Sequence, residues 1–102
     1  MKILIACFGL NGDYWKVVEP VCSFSMYTFD YYTHEIPGCK GCYRVSEKTT
    51  GLAVGTEVHD TFKEATKYAK RELRNAGWTK TADLVIGGLN RMSNVPMPEG
   101  WE

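Results

Sequence analysis

The sequence has no excess of charge of either sign. Twelve Lys and Arg residues balance twelve Asp and Glu residues in a chain of 102 residues, so the formal net charge at pH 7 is zero. Dedicated nucleic-acid binders are usually basic, and acidic mimics of DNA are strongly negative. The balance argues against both classes for the chain as a whole. Only a local cluster of charge can do such work.

A long apolar segment is also missing. The longest apolar run extends from Ile3 to Leu10, far short of the ~20 residues that a membrane-spanning helix requires. Lys2 and the run after it resemble the start of a secretory signal peptide, but no small-x-small cleavage site follows before residues 11–13. We therefore expect Ile3–Phe8 to be the first strand of a cytoplasmic protein without a membrane partner.

Signatures of catalysis are missing as well. Covalent catalysis needs a Cys or Ser, a His and an orienting carboxylate in one place. Cys39, His34 and Asp30 can be arranged in this way, but nothing in their spacing requires it. Gly87-Gly88 is not a phosphate-binding loop, because no Lys-Ser/Thr pair follows it. We expect no catalytic residues and no enzymatic activity.

Four cysteines are present, and two of them form the motif Cys39-Lys40-Gly41-Cys42. Two thiolates on a tight Gly turn can converge on one zinc ion, but the second half of a zinc signature is missing. The candidates for further ligands are His34, Cys22 and His59, of which we favour His34. Three interpretations stay open: a zinc site of Cys39, Cys42 and His34, a disulfide, and two reduced thiols. A thioredoxin-like role is disfavoured because the motif leads into a strand.

The centre of the chain predicts a hairpin. Tyr43–Glu47 and Leu52–Val58 alternate between apolar and polar residues, and the short loop between them ends in Gly51. A register in which Glu47 faces Leu52 places the apolar members on one face of the sheet.

A helix of about residues 61–76 should follow this hairpin. Thr61 and Glu64 have the capping-box spacing, and Gly77 suits the left-handed position after a helix C-terminus. Its apolar stripe consists of Phe62, Ala65, Ala69, Leu73 and Ala76. Because most of these residues are small, the helix can pack closely on the sheet.

A second stripe of the same helix is basic. Its members lie within roughly 100° of arc, and they are Lys63, Lys67, Lys70, Arg71 and Arg74. One interpretation is a solvated face whose later cations suit the negative end of the helix dipole. The other is a binding surface for a phosphate backbone or an acidic partner.

Two further regions predict strands. Asn11-Gly12 is a type I′ turn sequence that joins two strands in a first hairpin. Residues 21–36 are rich in aromatic residues and Thr, which predicts one long bent strand or two short ones. Tyr27, Phe29 and Tyr31 alternate onto one face of this region. They are interpreted either as core residues or as an exposed recognition patch.

The C-terminal third predicts a strand and a tail. Leu84-Val85-Ile86 before two glycines indicates a final strand, reached through a linker at residues 79–83. Residues 93–102 contain two Pro with Asn and Gly, which indicates an irregular tail. Residues 1–92 should therefore form a single domain, without internal repeats.

Two short segments are similar to those of a known family. Pro37-Gly38-Cys39 and Thr61–Ala65 resemble the Pro-Gly-Cys turn and the Thr-x-x-Glu-Ala helix start of HicB-type antitoxins, although here a hairpin separates them. The order of hairpin and helix is also similar to arm-type DNA-binding domains of phage integrases and, more distantly, to double-stranded-RNA-binding domains. No functional residue carries over. The small single-domain layout resembles phage or mobile-element accessory proteins, including inhibitors of host defence.

The sequence as a whole predicts an α+β fold, with an antiparallel sheet of about five strands and one main helix on one face. We expect a non-catalytic interaction module that binds and modulates a host macromolecule, in first place a protein. The contacts would be the basic stripe and the aromatic residues. Nucleic-acid binding by the basic stripe is the first alternative, and a small zinc-binding module is the second. An exposed edge strand would also permit a homodimer.

Overall fold

Five antiparallel strands precede one long helix in the computed structural model, which describes residues 1–101. The elements are β1 (Ile3–Gly9), β2 (Gly12–Val18), β3 (Pro20–Met26), β4 (Phe29–Ile36), β5 (Cys39–Glu47) and α1 (Phe62–Met92). β1 pairs with β2 in a two-stranded sheet, and a three-stranded sheet has the order β3-β4-β5. The predicted α+β fold with about five antiparallel strands is confirmed, but the strands are divided between two sheets.

The first hairpin turns one residue earlier than predicted. Gly9 pairs with Gly12, so the turn residues are Leu10 and Asn11 rather than Asn11 and Gly12. Gly12 has a φ of 112°, while Leu10 and Asn11 have no positive φ. The turn therefore places its glycine just after the two turn residues, where the chain needs a positive φ to enter the second strand.

Alternate residues of the three-stranded sheet face two different layers. The cluster on the side of α1 consists of Tyr31, Val45, Ala69 and Leu73. Tyr32, the next residue along β4, lies on the opposite face and packs against Ile3 and Ile5 of β1. Because side chains alternate along a strand, β4 contributes to both clusters. The three-stranded sheet is thus the middle layer between α1 and the first hairpin.

The predicted central hairpin forms only in part. Ser46 pairs with Ala53, and the backbone N–H of Glu47 donates to the carbonyl of Leu52 at 2.9 Å, as the predicted register requires. Farther along, Tyr43 pairs with His59 instead of continuing that register. The return segment bulges between these two bridges, where Gly55 has a φ of 73°. Residues 52–58 are therefore not a regular strand.

α1 consists of two helical segments that meet at Gly77. The Thr61 hydroxyl accepts a hydrogen bond from the Glu64 N–H at 3.2 Å, and Gly77 leaves the helical conformation with φ 80° and ψ 172°. The first segment therefore begins and ends as predicted. The chain then continues as a helix to Met92, so the predicted linker and final strand are wrong.

The second segment is helical because its buried residues recur with helical spacing. These residues are Thr81, Val85, Gly88 and Met92. Leu84 and Ile86, which flank Val85, are 60% and 57% exposed. A three-residue apolar run fits a strand as well as one turn of such a helix. The spacing of three and four residues between the buried positions over residues 81–92 fits a helix alone.

The segment that follows α1 is held by a tryptophan. Residues 93–101 contain no helix or strand. The Trp15 Nε1–H of β2 donates to the carbonyl of Val95 at 3.1 Å. This bond fixes the tail beside the first hairpin.

Two adjacent glycines offer a matched test of the helix packing. A Cβ on Gly88 would lie 2.9 Å from Thr50 Cγ2 and would also clash with Leu52, whereas a Cβ on Gly87 would meet nothing within 4 Å. Thr50 cannot move aside easily, because it is buried and its hydroxyl donates to Glu47 at 2.8 Å.

We expect Gly88→Ala to lower the free energy of unfolding by about 1–3 kcal/mol. Gly87→Ala should raise it by about 0.5–1 kcal/mol. Urea unfolding measures the change in the free energy of unfolding for each variant. Equal changes in the two variants would contradict this packing.

Candidate binding groove and cavity

A groove of about 340 Å³ lies between β3 and the first segment of α1. It is lined by Cys22 of β3 and by Phe62, Lys63, Thr66, Lys67, Lys70 and Arg74 of α1. We call it the basic groove. All lining residues except Cys22 belong to α1. The helical period therefore determines which side chains face the basic groove.

Four of the five predicted cations line the basic groove. Lys63, Lys67, Lys70 and Arg74 follow one another at intervals of four, three and four residues. A rise of 1.5 Å per residue places them in one row with steps of roughly 4.5–6 Å. Within residues 1–101, no carboxylate oxygen lies within 4.0 Å of their charged groups. The row therefore carries positive charge that no neighbouring side chain neutralises.

Arg71, the fifth predicted cation, lies outside the groove. Its guanidinium is 5.8 Å from the centroid of the Tyr68 ring. The Tyr68 hydroxyl donates to Glu72 at 3.4 Å and accepts from the backbone N–H of Thr56 at 3.3 Å. Arg71 is thus turned toward the bulged return segment and away from the row of cations.

The floor of the basic groove is apolar, with one internally bonded hydroxyl. The Thr66 hydroxyl donates to the carbonyl of Phe62 at 2.8 Å. It also lies 2.7 Å from Thr33 Oγ1 and 3.6 Å from Cys22 Sγ. Because its own proton goes to the carbonyl, Thr66 accepts from the Thr33 hydroxyl and from the Cys22 thiol. The floor offers no free polar group of its own.

The three aromatic residues predicted as one face do not form an exposed patch. Tyr31 is 1% exposed and lies in the core. Tyr27 and Phe29 are partly buried and pack against the Trp78 ring, with centroid distances of 6.3 Å and 5.9 Å. Their burial fits the interpretation as core residues, because α1 covers this face of the sheet, and a role in recognition stays a prediction. Trp78 itself is 51% exposed.

The residues proposed as a zinc site are engaged with other partners. Cys39 and Cys42 form a disulfide, so neither offers a thiolate here. Among the described residues, no three His, Cys, Asp or Glu side chains are arranged to hold a metal ion. The disulfide interpretation describes this structure, and the zinc hypothesis stays a prediction for the reduced protein.

His34 is a buried part of the sheet. Its Nδ1 lies 3.0 Å from the carbonyl of Glu35, and its Nε2 lies 2.7 Å from Ser46 Oγ. A carbonyl can only accept, so the neutral ring donates from Nδ1 and accepts the Ser46 proton at Nε2. Burial lowers the pKa of His34 below 6.5, and the Arg44 charge acts in the same direction, while the bond to Glu35 opposes them.

A separate cavity of about 390 Å³ lies between the segment after β5 and the two segments of α1. None of its lining residues lines the basic groove. Sequence reasoning missed this cavity because residues 79–86 were expected to be a linker and a strand. The four-residue spacing of Thr81 and Val85 is the signal that indicates a helical wall at this position.

Comparisons with protein-family models, with curated proteins and with solved structures found no match to this chain. The similarity to antitoxins and DNA-binding domains thus stays a resemblance of short segments. Within residues 1–101, no helix has the length and apolar character needed to cross a membrane.

The buried His34 predicts a pH-dependent stability. Its pKa is lower in the folded chain than the unperturbed value of 6.5, so the unfolded chain binds the proton more readily just below that pH. The contribution of neutral His34 is complete well above pH 6.5 and is lost as the pH falls through that value. We expect the melting temperature to drop between about pH 7.5 and about pH 5.5.

Replacing each histidine in turn separates the pH dependence due to His34 from that of other groups. His34→Gln should remove most of the pH dependence in this range, whereas His59→Gln should retain it. An NMR titration of the His34 ring gives a second readout that needs no substitution. Wild-type pH dependence that persists in His34→Gln would contradict the assignment.

Proposed function

We propose that this protein is a non-catalytic binding module whose basic groove holds an acidic, partly apolar segment of a protein partner. The observation that carries the proposal is the row of four cations above an apolar floor, without a carboxylate within 4.0 Å in residues 1–101. Bringing carboxylates of a partner to this row would replace the missing counter-charges.

The composition of the groove favours a protein segment over a nucleic acid. The net charge of zero provides no overall positive field to attract a long polyanion. Phe62 is the single aromatic residue in the lining, whereas nucleic-acid grooves usually offer several rings on which bases stack. An apolar floor beside a row of cations is complementary to an amphipathic acidic segment.

The groove also lacks the groups that chemistry would need. Cys22 is its one nucleophilic thiol, and no His, Asp or Glu belongs to the lining. General-base activation of this thiol would need a His, Asp or Glu from outside the lining. This supports binding rather than catalysis.

The edge of the sheet gives a bound segment a second means of attachment. β3 is the outer strand of the three-stranded sheet, and Cys22 of this strand lines the groove. An extended segment in the groove would lie beside the free edge of β3 and can hydrogen-bond to it. The same edge allows two copies of the chain to pair, so a homodimer stays a prediction.

The proposal is tested with a labelled peptide that alternates Glu and Leu and with a single-stranded oligonucleotide of equal charge. We expect the peptide to bind more tightly in fluorescence anisotropy at low salt, and its affinity to fall as salt is added. Reversing the four groove cations to Glu should weaken peptide binding more than about tenfold.

A variant with the same net charge provides the control. It carries Glu at four exposed lysines outside the groove, which are Lys2, Lys16, Lys40 and Lys48. Circular dichroism establishes that both variants fold. An equal loss of affinity in both would contradict a specific role of the groove. The opposite result is an oligonucleotide that binds more tightly than the peptide and loses this affinity only in the groove variant. That result would show that the ligand of the groove is a nucleic acid and not an acidic protein segment.

A further inference from the structure

The cavity beside α1 has the size and lining of a small-molecule site. Its volume of about 390 Å³ lies within the usual range for such sites, roughly 300–1,000 Å³. Its walls include the apolar side chains of Leu52, Val54, Leu73, Leu84 and Val85. Ligand sites typically combine such walls with a few polar groups that orient the ligand.

Two residues that line this cavity carry buried hydroxyl groups without a hydrogen-bond partner. Tyr31 is 1% exposed and Thr81 is 3% exposed, and both line the cavity. Neither Tyr31 Oη nor Thr81 Oγ1 bonds to any group within residues 1–101. Leaving a buried hydroxyl unpaired costs free energy, so native proteins rarely do so without a reason. Two such groups in one cavity indicate a partner that is not part of the chain.

The net charge of the cavity lining indicates the charge that this partner carries. Glu47 is 4% exposed. Its carboxylate accepts hydrogen bonds only from the backbone N–H of Thr49 and from the N–H and hydroxyl of Thr50, which are all neutral donors. It forms no ion pair within the described chain. Glu72 is a second carboxylate of the lining, and Lys80 is its single cation. The lining is therefore negative overall.

Tyr31 reports the same negative environment. Burial raises the pKa of Tyr31 to about 12, and the neighbouring charge of Glu47 acts in the same direction. The phenol is neutral at physiological pH, so its oxygen can accept a hydrogen bond from a ligand.

We propose that this cavity binds a small apolar molecule that carries a protonated amino group. An ammonium group has three N–H donors, and Tyr31, Thr81 and Glu47 of the lining carry oxygens that can accept hydrogen bonds. Its charge offsets the buried carboxylate, and the apolar body of the molecule packs on the leucine and valine walls. A neutral alcohol would satisfy the hydroxyls without balancing the charge, and a carboxylate would be repelled. The proposal is independent of the basic groove, because no residue lines both.

Three probes with the same ring and different end groups test the proposal: phenethylamine, phenethyl alcohol and phenylacetate. In amide NMR titrations of the full chain, we expect the amine to give saturable shifts at residues 49–55 and 72–85. Its affinity should exceed that of the alcohol by about tenfold or more, and phenylacetate should leave these amides unchanged. The absence of shifts with all three probes would overturn the proposal, as would phenylacetate binding as tightly as the amine.

Substitution of the unpaired hydroxyls separates ligand binding from folding. Thr81→Val should leave the melting temperature unchanged or higher, because the hydroxyl has no partner to lose. It should weaken amine binding by about fivefold to tenfold. Tyr31→Phe is the second variant, and Thr79→Val, an exposed position outside the cavity, is the matched control. Unchanged amine affinity in Thr81→Val and Tyr31→Phe would overturn the assignment of these hydroxyls.

Discussion

The buried carboxylate of Glu47 is the interaction on which the rest of the structure depends. It accepts hydrogen bonds from the backbone N–H of Thr49 at 2.7 Å and from the N–H and hydroxyl of Thr50, both at 2.8 Å. The backbone of Glu47 bonds to Gly51 and Leu52 as well. Hydrogen bonds to a charged group are stronger than neutral ones, and here they offset part of the cost of burying the charge. Residues 47–52 are thereby held in one tight turn.

This turn connects the other elements to one another. The Gly51 carbonyl accepts from the Ala6 N–H of β1 at 2.8 Å. Gly51 has a φ of 70°, and a Cβ there would lie 2.7 Å from the Ala6 nitrogen, so the approach requires glycine. On the other side of the turn, Thr50 lies so close to α1 that a Cβ on Gly88 would be 2.9 Å from its Cγ2. The first hairpin and the second helical segment thus both lie against the same few residues, and the cavity lies between this turn and α1.

The features that the sequence predicts well are those that depend on local patterns. The cap at Thr61, the break at Gly77 and the row of basic residues between them all follow from helical spacing and turn chemistry. The failures concern tertiary packing. The apolar run around Val85 has no local property that separates a strand from a helix. The close approach of Gly88 to Thr50 and Leu52 involves residues that are far apart in the sequence. The burial of Glu47 is equally hidden, because a turn carboxylate is usually exposed.

The basic groove and the cavity differ in how far the sequence could reveal them. The groove is formed almost entirely by one helix, so helical periodicity alone identifies four of its cations. The cavity needs the turn at 47–52 and the second helical segment to meet, which no local pattern encodes. The cavity depends on the turn, which forms part of its lining. The groove depends instead on the packing of the first helical segment, through Ala69 and Leu73, on Tyr31 and Val45 of the sheet.

Amide hydrogen exchange in a Glu47→Gln variant tests this role of the turn most directly. The amide side chain has a similar shape, but it lacks the charge and part of the acceptor capacity that the turn uses. We predict that protection at Thr50 and Ala6 is lost together, and that the free energy of unfolding falls by about 3 kcal/mol. Wild-type protection at both amides, with an unchanged melting temperature, would show that the turn holds its shape without the carboxylate and would contradict the account.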